Sequence, residues 1–480
     1  MNNSFNPIDE KTMELLEHAV NGRLWSGASV SEEFFHDEMP IYGLYAPEAI
    51  AFPHSTEEVS SLLKICHERR IPVTPRGGGT GLAGGAVPIY GGLVLSMREM
   101  NEILEFDMDR MTVRVQPGVL LGELQEACGQ RGLMYPPDPA EKLATLGGNI
   151  STNAGGVRAV KYGTTRDYVR AMTAVLPTGE TLRLGADVAK NSTGYSLLHL
   201  IIGSEGTLGV ITELTLKLVA LPREDILLVV PFSTLDDCIS TVPRILKAGF
   251  IPKSLEFMEA DIVRAAEAGV GQSLFPSSVE GEAPAAYLLM GFDGDSIEEL
   301  ERATNQVGAL LLEEGAMDIL VADSQNAKKN LLATRESFLD VIKYEAALID
   351  EMDVVVPITE IARFLSYVRE RGEVEGLAIR AFGHAGDGNI HIYVCGGDMD
   401  KTEFSVKADS IMNAAYKRAA ELGGTLSGEH GVGFAKTGYL PLFMEAASLR
   451  LMREVKGVFD PHMILNPGKI FDISEGSEKA

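Results

Sequence analysis

Six of the ten residues in Arg76–Gly85, RGGGTGLAGG, are glycine. Neither a helix interior nor a central strand suits that density, because each glycine loses more conformational freedom on ordering than any other residue. The segment must be a loop. Ala49–Phe52 before it reads as a short apolar strand. Ser55-Thr56-Glu57-Glu58 reads as a capping box opening a helix to about Arg70, and Ile71–Pro75 as the next strand. The loop therefore leaves a β–α–β unit with its backbone N–H groups uncovered, which suits a phosphate or pyrophosphate. Gly79, Gly81 and Gly84 match G-x-G-x-x-G, but Gly85, Pro88, Gly91 and Gly92 follow. Those residues cannot open the helix that a Rossmann dinucleotide site needs. No Gly-Lys-Ser/Thr closes the loop, so a P-loop is excluded as well. A plain flexible loop is the bland alternative.

The chain has 480 residues, enough for about two to four domains. Its 68 acidic and 42 basic residues give a net charge of -26. Nucleic acid and anionic membranes need a cationic face, so neither is expected as a partner. Cys66, Cys128, Cys238 and Cys395 are far apart and form no C-x-x-C, which disfavours disulfides, zinc ribbons and cysteine-held clusters. MNNSFNPIDEKTMELL lacks an apolar signal core, and no apolar stretch approaches about 20 residues, so no transmembrane segment is expected. A cytoplasmic setting is the expectation.

Residues 8–22 read as a helix. Short strands are expected at Gly92–Ser96, Ile103–Asp107, Thr112–Gln116, Ala171–Leu176 and Leu208–Leu218, with a helix at Leu120–Arg131. The segment Tyr135–Gly156 is rich in Pro, Gly, Ser, Thr and Asn, and it is too long for an idle turn. Its small residues suit backbone lying flat against a large planar ligand. A boundary is expected near Pro222. Beyond it, Leu227–Phe232, Leu235–Ala248, Ala286–Gly291 and Ile297–Glu314 read as α+β, an antiparallel sheet with helices on one side. One helical stretch is expected over Ala327–Ala346, and others at Ile358–Arg371 and Thr402–Leu422. Leu377–Phe382 and Ile390–Val394 should form a hairpin about Gly383–Asn389, and the C-terminal FDPHMILNPGKIF reads as loop.

Three histidines carry the sharpest chemistry. His384 and His391 flank the hairpin turn in HAGDGNIH, and Glu429-His430 sits in the glycine-rich loop Gly423–Gly433. Two histidines and a glutamate can form a metal site with an open position. Each histidine could instead be structural. Asp387 suits holding the turn or orienting a histidine. Arg335, on a predicted helix, offers a fork for a carboxylate or is a solvated helix-face charge.

PRGGGTGLAGG, PPDPAEKLATLGGNISTNAGG, GSEGTLG, GHAGDGNIH, GEHGVG and FDPHMILNPGK resemble FAD-linked oxidases of the vanillyl-alcohol-oxidase (PCMH-type) fold. The resembling branch holds D-lactate dehydrogenase, the glycolate oxidase catalytic subunit and D-2-hydroxyglutarate dehydrogenase. It implies an α+β chain. A two-subdomain FAD-binding domain over residues 1–222 would precede a substrate (cap) domain over 223–425, and a segment over 426–480 would return to the flavin. The resemblance assigns the FAD pyrophosphate to Arg76, Gly77, Gly78, Gly79, Thr80 and Gly81. It places Pro137, Asp138, Thr145, Gly148, Asn149, Ser151 and Asn153 along the flavin and ribityl chain, Glu205 and Ile211 near the adenine half, and Asn466 over the isoalloxazine. Thr80 stands where family members with covalent flavin often carry histidine, so non-covalent FAD is implied. His384, His391 and Glu429 match ligands of a divalent metal (zinc, iron or manganese), His430 the catalytic base, and Arg335 the arginine for the substrate carboxylate.

The implied reaction is oxidation of a small 2-hydroxy acid to the 2-oxo acid. Electrons would leave to a quinone, to oxygen or to another protein, with an electron-transferring flavoprotein or an iron–sulfur subunit as the partner hypothesis, and a homo-oligomer is compatible. Glu351 lies near DVVVP, in a region where some 2-hydroxyglutarate enzymes carry lysine, which favours a monocarboxylate such as D-lactate or glycolate over 2-hydroxyglutarate. Two rivals stand beside this reading: a His–His–Glu metallohydrolase, and a non-catalytic flavoprotein scaffold.

Overall fold

The computed structural model describes residues 5–472 except 323, so the ends of the chain, including residues 473–480 of the expected C-terminal segment, lie outside the described residues. The chain divides into two compact units. One comprises residues 1–155, 164–221 and 429–480, and the other residues 156–163 and 222–428.

The first unit starts from the β–α–β pattern. Ser55 caps the helix Thr56–Arg69, accepting a hydrogen bond from Glu58 N at 3.3 Å. Only half of the expected capping box forms, because the Glu58 carboxylate turns to Arg23 and to His54 N instead. Val59, Leu62, Leu63 and Cys66 recur at helical spacing. They bury against Ala49, Ala51, Val73, Leu93 and Leu95. Those strand residues belong to a four-stranded sheet in the order Leu24–Ser26, Ala49–Ala51, Leu93–Ser96, Val73–Arg76. Only its first pair is antiparallel. A second, five-stranded antiparallel sheet has the order Ile103–Asp107, Thr112–Val115, Val210–Lys217, Val169–Val175, Thr181–Gly185.

The C-terminal segment returns beside the glycine loop. Val73 N donates to Ile464 O at 2.8 Å, Asn466 N donates to Val73 O at 2.7 Å, and Ile464 and Leu465 join the core. The helix Ala446–Phe459 precedes this segment and was not foreseen in the sequence.

The second unit is built on a seven-stranded sheet. Its order is Leu320–Ala322, Glu224–Phe232, Ala286–Gly294, Ser254–Glu259, Ala378–His384, Asn389–Cys395, Ile349–Val355. Every neighbouring pair is antiparallel. All six residues of the central strand Ser254–Glu259 are buried. A sheet with helices on one side would leave alternate residues wet; here both faces are covered at the centre. Helices Leu235–Lys247, Ile297–Glu313, Ile361–Glu375 and Lys401–Glu421 pack against the sheet. The single helix expected over Ala327–Ala346 is two, Gln325–Glu336 and Phe338–Glu345, broken at Ser337, whose hydroxyl bonds Thr334 O. That break ends the first helix just after Arg335.

Candidate functional site

In the first unit the glycine loop is braced from behind. Arg76 is buried, and its guanidinium donates to the carbonyls of His36, Ala86 and Glu33 at 2.8–3.2 Å. Its side chain thereby anchors the loop to the protein. A Cβ on Gly77 would collide with Thr145 Oγ1, and one on Gly79, at φ +77°, would strike the Arg76 guanidinium. These two glycines let the loop fit between Arg76 and the small-residue segment. Among the described residues, the N–H groups of Gly77, Gly78, Gly79, Thr80 and Gly81 have no protein acceptor. Consecutive free N–H groups of this kind form an anion-binding nest, so the loop fits a pyrophosphate.

The other expected cofactor residues cluster in the same unit. Thr145 caps the short helix Leu146–Thr152, accepting from Gly148 N at 3.3 Å. Ser151 Oγ donates to Gly147 O, and Ser151 O accepts from Glu205 N, each at 2.7 Å. Asn149 is buried, and Asn153 closes the helix in the left-handed region while its Oδ1 accepts from Arg166 N at 3.0 Å. Pro137 O accepts from Gln125 Nε2, and Asp138 pairs with Lys142. Ile211 is buried on the strand Val210–Lys217.

Glu205 and Asn466 brace the segments around them. The Glu205 carboxylate accepts from Val432 N at 2.8 Å and Gly433 N at 2.7 Å. Burial raises its pKa, which those N–H groups and Lys469 oppose. Asn466 Nδ2 donates to Gly85 O and Glu205 O at 2.8 and 2.7 Å. Together they tie the C-terminal segment, the glycine loop and Gly431–Gly433 into one support. Lys469, fully buried, donates to Val87 O at 2.7 Å, and burial lowers its pKa to about 7 against the pull of Glu205 and Asp37. Glu429 and His430 also belong to this unit. His430 Nε2 lies 3.9 Å from Glu429 Oε1, and the Glu429 carboxylate lies beside Gly155.

In the second unit, sheet register does most of the positioning. Glu256 pairs with His384, which pairs with Asn389; Phe382 pairs with His391, which pairs with Asp353. Residues two apart share a face. One face of the sheet therefore presents Glu256, His384, Asn389, Phe382, His391 and Asp353 together. The two histidines bring Nε2 to Nε2 at 3.5 Å. Glu256 Oε1 holds His384 Nδ1 at 2.6 Å. Its Oε2 accepts from Arg335 Nε at 3.1 Å and Nη2 at 2.8 Å.

Burial alone would raise the Glu256 pKa, but His384 and Arg335 outweigh it and hold the carboxyl below its ordinary value. An ionised carboxylate only accepts, so His384 Nδ1 carries the hydrogen, and in the neutral imidazole Nε2 is then the lone-pair nitrogen. Imidazoles held in that way are suited to a metal, and the pair fits one. Asp353 lies behind His391, with Oδ1 3.9 Å from Nδ1. It also accepts from Asn389 Nδ2 at 2.6 Å, Ser427 Oγ at 2.6 Å and Gly428 N at 3.0 Å. Asp387 takes the turn-holding role, accepting from Asn389 N at 3.2 Å.

Arg335 is not a solvated helix-face charge. It is 8% exposed, and its guanidinium carbon lies 4.5 Å from the Phe382 ring centroid. Among the described residues its Nη1 has no hydrogen-bond partner. Sequence reading missed Glu256 and Asp353. The available signal was acids set among the apolar residues of two strand segments, SLEFME and IDEMDVV, since acids are rarely buried unless paired.

A nest for a pyrophosphate in one unit and a polar array on a buried sheet face in the other define a two-unit flavin-dependent oxidoreductase. Residues 47–185 match the FAD binding domain model, and residues 221–470 match the model of FAD linked oxidases, C-terminal domain. The D-lactate dehydrogenase of Anaerostipes hadrus is 49% identical over 97% of this chain and 98% of that protein. The glycolate oxidase subunit GlcD of Bacillus subtilis is 38% identical over 91% of this chain and 92% of its own length. The structure of p-cresol methylhydroxylase with substrate bound superposes with a TM-score of 0.81 at 18% identity, covering 98% of this chain and 99% of that one, and so shares the fold. The chain belongs to the FAD-linked oxidases. Among the described residues, no helix is long and apolar enough to cross a membrane.

Proposed function

We propose that the chain oxidises a small 2-hydroxy acid, D-lactate or glycolate, to the 2-oxo acid. The reading rests on the Arg335–Glu256–His384–His391 array, which offers a carboxylate fork beside paired imidazole donors. Its resemblance to 2-hydroxyacid enzymes of the family adds support. The FAD is held non-covalently, with its pyrophosphate at Gly77–Gly81 and its flavin along Thr145–Asn153. His384 and His391 would hold a divalent cation, zinc, iron or manganese, with Glu429 the third ligand that the family resemblance implies; nitrogen and oxygen donors of this kind admit all three.

Bound FAD supplies the two-electron acceptor, and the cation a positive centre for the substrate hydroxyl. Arg335 receives the substrate carboxylate through the hydrogens that Glu256 leaves, those of Nη1 and the second of Nη2. His430 removes the hydroxyl proton at a ring nitrogen, and the neighbouring Glu429 carboxylate favours the imidazolium that forms. Glu351, fully buried on the strand Ile349–Val355, offers no cation to a second carboxylate, which supports a monocarboxylate over 2-hydroxyglutarate. Electrons then leave for a separate acceptor of the electron-transferring-flavoprotein or iron–sulfur class. The cysteines are unpaired: Cys66, Cys128 and Cys238 are buried and Cys395 is partly so.

His430→Ala should keep its yellow colour and lower anaerobic flavin reduction by about 10²–10⁴-fold, the usual loss of a general base. Reduction at the wild-type rate would remove His430 from the chemistry.

A further inference from the structure

Glu256 is 2% exposed between Leu255 and Phe257 on a fully buried central strand, and nothing in the proposed chemistry consumes it. A lone carboxylate there would be costly. It is retained opposite two partners of different purpose. One oxygen holds His384 Nδ1 at 2.6 Å, and the other holds two nitrogens of Arg335 at 2.8 and 3.1 Å. Each bond removes a freedom. The first fixes the imidazole tautomer and ring angle, so that Nε2 points toward His391 Nε2. The second holds the guanidinium over the Phe382 ring and leaves the Nη1 hydrogens and the second Nη2 hydrogen as donors.

We propose that Glu256 is a shared positioning residue: through its two oxygens, one carboxylate sets both the metal-ligating geometry of His384 and the carboxylate-receiving geometry of Arg335. This deepens the 2-hydroxyacid reading and rests on it. Glu256 touches neither metal nor substrate in this scheme. Sheet register explains how one residue serves both tasks. Glu256 stands directly across from His384, while Arg335 comes from the last turn of Gln325–Glu336.

The test is Glu256→Gln in the full chain loaded with FAD. Glutamine keeps the shape but has one acceptor oxygen in place of two, so at least one of the two bonds must fail. Mn²⁺ titration followed by electron paramagnetic resonance reads the His384 side. Mn²⁺ affinity should fall by about 10–100-fold, the usual effect of losing a group behind a metal ligand. At saturating Mn²⁺, the KM for D-lactate reads the Arg335 side. It should rise by about tenfold while kcat falls less, because the arginine fork loses its preset plane. FAD content should stay at the wild-type level. If E256Q fails to fold, Glu256→Asp keeps the charge but is too short to span both partners, and it carries the same two readouts. Wild-type values for both overturn the inference. Glutamine can keep one of the two bonds, so Glu256→Ala, which removes both oxygens, decides the shared role: both readouts should change there, and a loss confined to one readout in E256A overturns it. If the wild-type chain takes up no Mn²⁺, the metal reading itself fails, and the inference fails with it.

Discussion

Asp353→Asn probes the link between the sheet and the segment that delivers Glu429 and His430. Asp353 has no exposed surface. Its Oδ1 accepts from Asn389 Nδ2, and its Oδ2 accepts from Ser427 Oγ and Gly428 N. Asparagine keeps the outline but replaces one oxygen with an NH₂ group. If that group takes the Oδ2 position, Ser427 can rotate its hydroxyl to accept, but Gly428 N cannot. If it takes the Oδ1 position, it meets Asn389 Nδ2 donor to donor. Either way one buried donor loses its partner, at a cost of about 1–3 kcal/mol. Asp353→Ala removes all three bonds and should cost roughly 3–5 kcal/mol, the range for breaking a buried charged group. Calorimetry should show the transition of the sheet unit moving down in D353N while the transition of the FAD-binding unit stays put. Flavin reduction should slow, because Ser427 and Gly428 immediately precede Glu429 and His430. A D353N chain within about 0.5 kcal/mol of wild type and with wild-type reduction would refute this reasoning, since ordinary surface changes fall in that range.

Gly77→Ala should yield protein with much less bound FAD, read from the 450 nm absorbance per chain, because its Cβ meets Thr145 Oγ1; full flavin content would sink the loop assignment. Lys469 has a folded pKa of about 7, below its unfolded value of 10.5. The unfolded chain therefore binds the proton first, and stability attached to this group is lost as pH falls from about 10.5 through about 7. Lys469→Met should accordingly flatten the stability profile between pH 7 and 10, measured by denaturant unfolding; an unchanged slope would mean that Lys469 is not the titrating group.

Much of this fold was legible because the signals were local. The glycine loop, the helix Thr56–Arg69 and the hairpin about Gly383–Asn389 each carry their turn or cap within a few residues. Arg335, His384 and His391 were singled out from the same local patterns, and the structure brings them onto one buried array. What was not legible depends on strand pairing. Nothing near Ser254–Glu259 says that it lies beside Ala378–His384, more than a hundred residues away, so Glu256 could not be assigned to His384. The break at Ser337 was hidden for a different reason: both flanking segments are good helix formers, and the bond from Ser337 Oγ to Thr334 O is one that a continuous helix also allows. Arg76 and Glu205 stood out in their loops, but the backbone groups from distant segments that they brace could not be read from local sequence.

The most direct measurement is anaerobic titration of the purified yellow protein with D-lactate, L-lactate, glycolate and 2-hydroxyglutarate, followed at 450 nm. Stoichiometric bleaching by D-lactate or glycolate, with 2-hydroxyglutarate much slower, is the expected result. A flavin that none of the four reduces would contradict the proposed activity.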